Sequence, residues 1–279
     1  MIKALVLASG GAKGAYQAGL LSRLAEDSAF ADGFDFISGS SVGALNAAAI
    51  AQYNRAEFVQ AAKKLEEVWL HGLDILKWRW PFGIPGLWKN SFASGSALEK
   101  FIDSNLNVQA LLDSDVRLSV SAVRLEDGFT QRFIKNVPDV KQVLLASSAI
   151  PGVFPPVRLE GNQYVDGAVK DDAPLKPAIK AGADDILVVS LTNPEHLYES
   201  RTRWKATQVA MQAFEIQQMH VLQEDLKVCS WKNLQPGYAS VNVRVVCPSK
   251  PLESSLNFSR KAIRKNIQRG RLDAEALLR

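Results

Sequence analysis

Short apolar runs alternate with stretches of helical spacing along the whole chain. Ala4 to Ala8 (ALVLA) is continuous and apolar, as in a strand buried on both faces, and Ile186 to Leu191 (ILVVSL) repeats the pattern. Phe34 to Ser38 is predicted as a second short strand and Val241 to Cys247 as the last. Arg117 to Val123 alternates apolar and polar positions, and Phe129 to Ile134 is expected to pair with it across an Asp127-Gly128 turn. Val157 to Val165 reads as a small hairpin turning at Gly161-Asn162. Helical periodicity covers Ala15 to Glu26, Ala44 to Tyr53, and roughly residues 55–70, 96–104, 138–147, 200–228 and 258–278. In residues 200–228, Trp204, Met211, Phe214, Leu222 and Leu226 hold that spacing. Strands alternating with helices predict a three-layer α/β/α sandwich with a largely parallel central sheet.

Composition narrows the class without naming a function. The 279 residues are 47% hydrophobic and 22% charged, as in a globular chain, and no Pro/Ser/Gly-rich or charged stretch reads as a linker. One domain over residues 1–279 is expected. Cys229 and Cys247 are too few for a disulfide framework. With His71, His196 and His220 scattered, they do not assemble a zinc site by spacing. No calcium-loop motif occurs, so neither a metal nor another cofactor is expected. The first residues, MIKALVLASGGAKG, lack the apolar length of a secretory signal, and the uncharged stretch Phe36 to Asn54 is broken by Gly, Ser and Asn. A cytoplasmic protein is the expectation, with peripheral contact at the inner face of a membrane.

Two turns carry the candidate chemistry. Gly39-Ser40-Ser41-Val42-Gly43 follows a predicted strand and precedes a helix, the context in which GxSxG marks a nucleophile. Ser41 would sit in the cramped corner, with Gly39 and Gly43 giving room for neighbouring chain and the helix start turning its free N–H groups toward the reacting oxygen. An ordinary tight βα turn would use the same residue types. The earlier turn, Ser9-Gly10-Gly11-Ala12-Lys13-Gly14, presents consecutive amides that bind an anion, whether a phosphate or a developing alkoxide. A dinucleotide site is the competitor, but its acid belongs at the end of the second strand, and Asp35 stands at the beginning. No Gly-Lys-Ser/Thr follows, which excludes a Walker A loop. Adjacent parallel strands would bring both turns to one sheet edge.

A serine nucleophile needs a proton acceptor within about 3 Å. By chain order His196 is a candidate in a Ser-Asp-His arrangement, and Asp166, in Tyr164-Val165-Asp166-Gly167, ends a predicted strand. The blocks ALVLASGGAKGAYQAG (Ala4 to Gly19), GSSVGALNA (Gly39 to Ala47), ASSAIPGVFPPV (Ala146 to Val157) and YVDGAV (Tyr164 to Val169) together resemble a bacterial patatin-like phospholipase. The resemblance spans roughly the first two-thirds of the chain. It implies a patatin-like fold, with a catalytic core of about residues 1–195 and a helical and strand extension over about 196–279. It further implies hydrolysis of lipid acyl esters, of phospholipase A or lysophospholipase type, through an acyl-serine intermediate. Ser41 would be the nucleophile, Asp166 its base without a histidine, and Gly10, Gly11, Ala12, Lys13 and Gly14 the oxyanion loop. Ser9 departs from the family's usual glycine there. Two other readings stay open: a catalytically silent lipid- or nucleotide-binding protein, and an esterase or thioesterase using His196.

Two segments offer contact with lipid. Lys77 to Lys89 gathers Trp78, Trp80 and Trp88 with Pro, Gly and Lys/Arg, which suits either a membrane-docking lid or an aromatic plug on the core. The chain carries a net charge of +4 and a pI near 9.0, with the excess concentrated at Arg260, Lys261, Arg264, Lys265, Arg269 and Arg271. That run suits a solvated helix face or attraction to anionic headgroups. No nucleic-acid-binding motif accompanies it.

Overall fold

The structure, a computed structural model, describes residues 1–71, 96–196, 206–237 and 240–279. Its strands are β1 (Lys3–Leu7), β2 (Phe36–Ser40), β3 (Arg117–Arg124), β4 (Thr130–Ile134), β5 (Val157–Leu159), β6 (Asn162–Asp166), β7 (Asp185–Val189) and β8 (Asn242–Val246). The helices are α1 (Ala15–Leu24), α2 (Val42–Ala51), α3 (Phe58–His71), α4 (Ser96–Asn105), α5 (Val108–Asp113), α6 (Val140–Ser147), α7 (Leu175–Lys180), α8 (Ala206–Asn233) and α9 (Arg260–Leu277).

One mixed sheet runs β5-β6-β3-β2-β1-β7-β8, with β4 added beside β3. From β3 through β2, β1 and β7 to β8 every pairing is parallel, while β4, β5 and β6 pair antiparallel at the other end. The continuous apolar runs are explained by burial on both faces. Leu5, Leu7, Leu187 and Val189 pack with α1, α2, α3 and α9, whereas Ala4, Val6, Ile186 and Val188 pack with α7 and α8. Alternate side chains of one strand therefore feed two helical layers, which gives the three-layer sandwich. α2 is apolar on nearly its whole circumference and has almost no exposed residue, as befits a helix wedged between the sheet and other helices.

The periodic segments fold near their expected limits, with two informative shifts. β2 begins two residues later than expected and runs through Gly39 and Ser40, because those small residues continue the pairing with Val120 and Ser121. The GSSVG turn thus shrinks to Ser41 alone, and α2 starts at Val42. α5 and α7 were not anticipated; six residues each give too little periodicity to register. Side-chain caps account for other starts: Asp139 accepts from Gln142 N, Asn107 from Ala110 N and Ser259 from Ala262 N. Trp78, Trp80, Trp88 and Trp204 lie outside the described residues. No helix among the described residues is long and apolar enough to cross a membrane.

Candidate active site

β3 acts as a ruler for the site. β4 occupies one edge of it, pairing from Ser119 to Val123. The other edge is shared: β2 pairs with Arg117 to Ser121, and β6 takes over from Ala122 to Arg124 in the opposite direction. Ser40 faces Ser121 and Asp166 faces Ala122, so the two strands end against each other at successive rungs. Asp166 ends β6 at that junction, and Ser41 is the first residue past β2.

Ser41 has φ 55° and ψ −128°, a conformation that costs a non-glycine residue about 1–3 kcal/mol. The surroundings enforce it. A Cβ at Gly43 would strike the carbonyl oxygens of Leu7, which ends β1, and of Ala8, which follows it, and one at Gly39 would strike the Gly43 backbone. The strand can therefore fold straight into α2 only with glycine at both positions. Ser41 N donates to Ser147 Oγ at the end of α6 (3.0 Å), and the residue is buried.

Asp166 is wholly buried. Its N–H donates to Ala149 O (2.9 Å), and its Oδ1 accepts from Ala168 N (2.9 Å), while Oδ2 has no hydrogen-bond partner. Burial pushes its pKa up to about 7; the neighbouring Ser41 hydroxyl and the Ala168 amide pull it back, and the Asp172 charge raises it further. No histidine is among the described groups acting on this carboxyl. His220 is exposed on α8 and His71 at the end of α3, and the side chain of His196 lies outside the described residues.

The glycine loop borders the same point. Of the five loop residues expected to meet an anion, two keep uncommitted amides: Gly10 N and Gly11 N have no acceptor among the described residues. Ala12 N is spent on Ser255 O (2.7 Å) and Lys13 N on Gly10 O (3.1 Å). The Lys13 ammonium is ion-paired with Glu215 of α8 (2.7 Å), and Gly14 O accepts from Asn46 Nδ2 (3.1 Å). Ser9 earns its place as a hub, donating to Asp172 Oδ1 and accepting from Gln218 Nε2 (2.7 Å). Asp172 is itself buried, and burial pushes its pKa up to about 6. Asp35 is remote in role: it accepts from Lys3 N (2.7 Å) and Arg55 Nη1 (2.6 Å) at the start of β2, which removes the dinucleotide reading.

Ser41 and Gly11 open on an apolar cavity of about 80 Å³ walled by Leu45, Phe101, Ile150, Phe154 and Phe258 among others. Ser147, Ser148, Ile150 and Phe154 come from the ASSAIPGVFPPV block, whose presence hinted at the site without assigning roles. Ser255, Leu256 and Phe258, in the segment before α9, carried no signal at all. Among the described residues no cluster of His, Cys, Asp and Glu is arranged to hold a metal ion.

Comparison with known proteins defines the class. The family model for Patatin-like phospholipase matches residues 5–179. The uncharacterised protein YjjU of Escherichia coli is 27% identical over 96% of this chain and 75% of its own length. An uncharacterised NTE family protein of Mycobacterium tuberculosis is 30% identical over 69% of this chain; the match spans about half (49%) of that relative. The crystal structure of VipD from Legionella pneumophila shares the fold, with a TM-score of 0.51 at 17% identity, covering 99% of this chain and 66% of that one. The chain belongs to the patatin-like phospholipase family, and with it to the lipid ester hydrolases.

Proposed function

We propose that the chain hydrolyses lipid acyl esters of phospholipase A or lysophospholipase type through a Ser41–Asp166 dyad. The observation that carries this reading is the buried Asp166 carboxyl, with one oxygen unpaired, beside a strained Ser41 that opens on an apolar cavity. A carboxylate of ordinary pKa is a poor base for an alcohol, and burial makes Asp166 a better one. The Ser41 oxygen attacks the ester carbonyl carbon while Asp166 accepts the hydroxyl proton. The carbonyl oxygen becomes an oxyanion facing the Gly10 and Gly11 amides, each such donor being worth ~3–4 kcal/mol in the transition state. The C–O bond then breaks, and the proton passes from Asp166 to the departing alkoxide. Water attacks the acyl-serine, Asp166 takes its proton, and the carboxylic acid leaves as Ser41 recovers its hydrogen. The apolar walls of the cavity suit the hydrocarbon of the acyl group.

We read residues 1–279 as one domain: β8 closes the parallel sheet and Ser255 O holds the glycine loop, so the extension past residue 195 completes the core. For the lipid surface, α9 supports a narrower contact than the full basic run Arg260–Arg271. Lys265 pairs with Glu253, Arg269 with Asp273, and Arg271 with Glu26 and Glu66. Lys261 and Arg264 are exposed without an ion-pair partner among the described residues, on the helix that follows Phe258 at the cavity. These two are the groups offered to anionic headgroups.

A fluorophosphonate probe tests the reading, followed by a panel of phospholipid and lysophospholipid esters with products identified by mass. Labelling confined to Ser41, with free fatty acid released, supports it. A wild-type protein that neither labels nor releases fatty acid returns the chain to a silent lipid-binding role.

A further inference from the structure

Ser147 and Ser148 are adjacent at the end of α6, yet their hydroxyls have opposite fates. Ser147 Oγ accepts from Ser41 N and fixes the nucleophile turn. Ser148 is 5% exposed, lines the cavity shared by Ser41 and Gly11, and its Oγ has no hydrogen-bond partner. A buried hydroxyl left unpaired in apolar surroundings is destabilising, and most such groups in folded proteins find a partner. Gly11 brings its uncommitted N–H to the same cavity, whereas the side-chain amide there is fully paired. Asn46, on the same cavity wall, donates to Gly14 O and Gln17 Oε1 and accepts from Trp69 Nε1. Ser255 O accepts from Ala12 N. The backbone of Ser148 is satisfied as well, its N–H bonding back to Leu144 O and Leu145 O. Among the described residues that line the cavity shared by Ser41 and Gly11, Ser148 carries the buried side-chain hydroxyl without a partner.

We propose that Ser148 is a substrate-contacting residue whose hydroxyl donates a hydrogen bond to an oxygen of the ester bound at Ser41. The proposal rests on the Ser41–Asp166 reading of the same cavity and adds a polar requirement to it. The favoured ligand is an acyl compound with an oxygen close to the carbonyl, as in an ester, and not a purely hydrocarbon guest. An ester oxygen bound there would supply the partner that the hydroxyl lacks.

The test is Ser148→Ala, with Ser148→Thr restoring the hydroxyl, assayed for kcat, KM, fluorophosphonate labelling rate and melting temperature. Ser148→Ala is expected to melt at or above the wild-type temperature while kcat/KM falls about 10-fold or more. Ser148→Thr should recover most of that loss. A fall in kcat and in labelling rate with KM held assigns the bond to the developing oxyanion, and a rise in KM alone assigns it to the bound ester; either supports the contact. The proposal is overturned if kcat/KM for Ser148→Ala stays within about twofold of wild type. It is equally overturned if that variant melts lower or fails to fold, since the hydroxyl would then be structural. Ser41→Ala and Asp166→Asn run beside it. If either retains turnover the dyad itself fails, whereas two dead controls with an unaffected Ser148→Ala remove this inference alone.

Discussion

Ser40 and Asp166 sit at successive rungs on one edge of β3, opposite Ser121 and Ala122, where β2 and β6 meet end to end. Main-chain pairing thereby holds the two strand ends side by side, and Ser41 follows directly on one of them.

From that juxtaposition, Ser41→Ala and Asp166→Asn should each lower kcat/KM by at least about 10³-fold while leaving the circular dichroism spectrum unchanged. His196→Ala should remain within a few-fold of wild type in the same acyl-ester assay. An inactive His196→Ala would favour the three-residue arrangement instead.

In the proposed mechanism the base must be ionised to take the serine proton, and Asp166 is pushed up to about 7. The kcat/KM profile should therefore rise with pH through about 7 and level off above it. Asp172 contributes to that position by its negative charge. Asp172→Asn should move the acid limb to lower pH, along with any loss of activity from disturbing the Ser9 contact; a limb that stays in place would show that Asp172 acts only on the loop.

Stability should change in the opposite sense to activity. A carboxyl whose folded pKa lies above its unfolded value binds its proton more tightly in the folded state, so its contribution is full at low pH and is lost as pH rises through about 7. Asp166→Asn removes that loss. Its melting temperature should exceed the wild type's at pH 8 and converge on it near pH 4, as read by thermal unfolding at both values.

Gly43→Ala should be severely destabilising, by roughly 3 kcal/mol or more, because the new Cβ meets the carbonyl oxygens of Leu7 and Ala8 at the end of β1. That backbone is held on both sides, Leu7 pairing with Gly39 and Val189. Denaturant titration would measure the loss, and a near-wild-type midpoint would mean that α2 can shift away from β1.

Binding to anionic vesicles should weaken about tenfold or more in the double variant Lys261→Glu/Arg264→Glu, and should fall with added salt in the wild type. Co-sedimentation measures both. Equal binding by the double variant would place the lipid contact elsewhere on the molecule.

Sequence alone determined the layered architecture, because burial on both faces leaves an unbroken apolar run in β1 and β7, and helical spacing survives in α3 and α9. It also singled out Ser41 and the Gly10-Gly11 turn, since a sharp strand-to-helix corner and a bare-amide nest each demand particular small residues in consecutive positions, while Asp166 was marked only by the resemblance of its block to a known family. Those are local requirements, and local requirements are written locally. The pairing of β2 and β6 on one edge of β3 was decided only in three dimensions. So were the commitment of Lys13 to Glu215, the Ser9–Asp172–Gln218 hub, and the arrival of Leu256 and Phe258 at the cavity. Each joins residues far apart in the chain, and a hydrogen bond or a packed wall between distant segments imposes no spacing that one sequence can display.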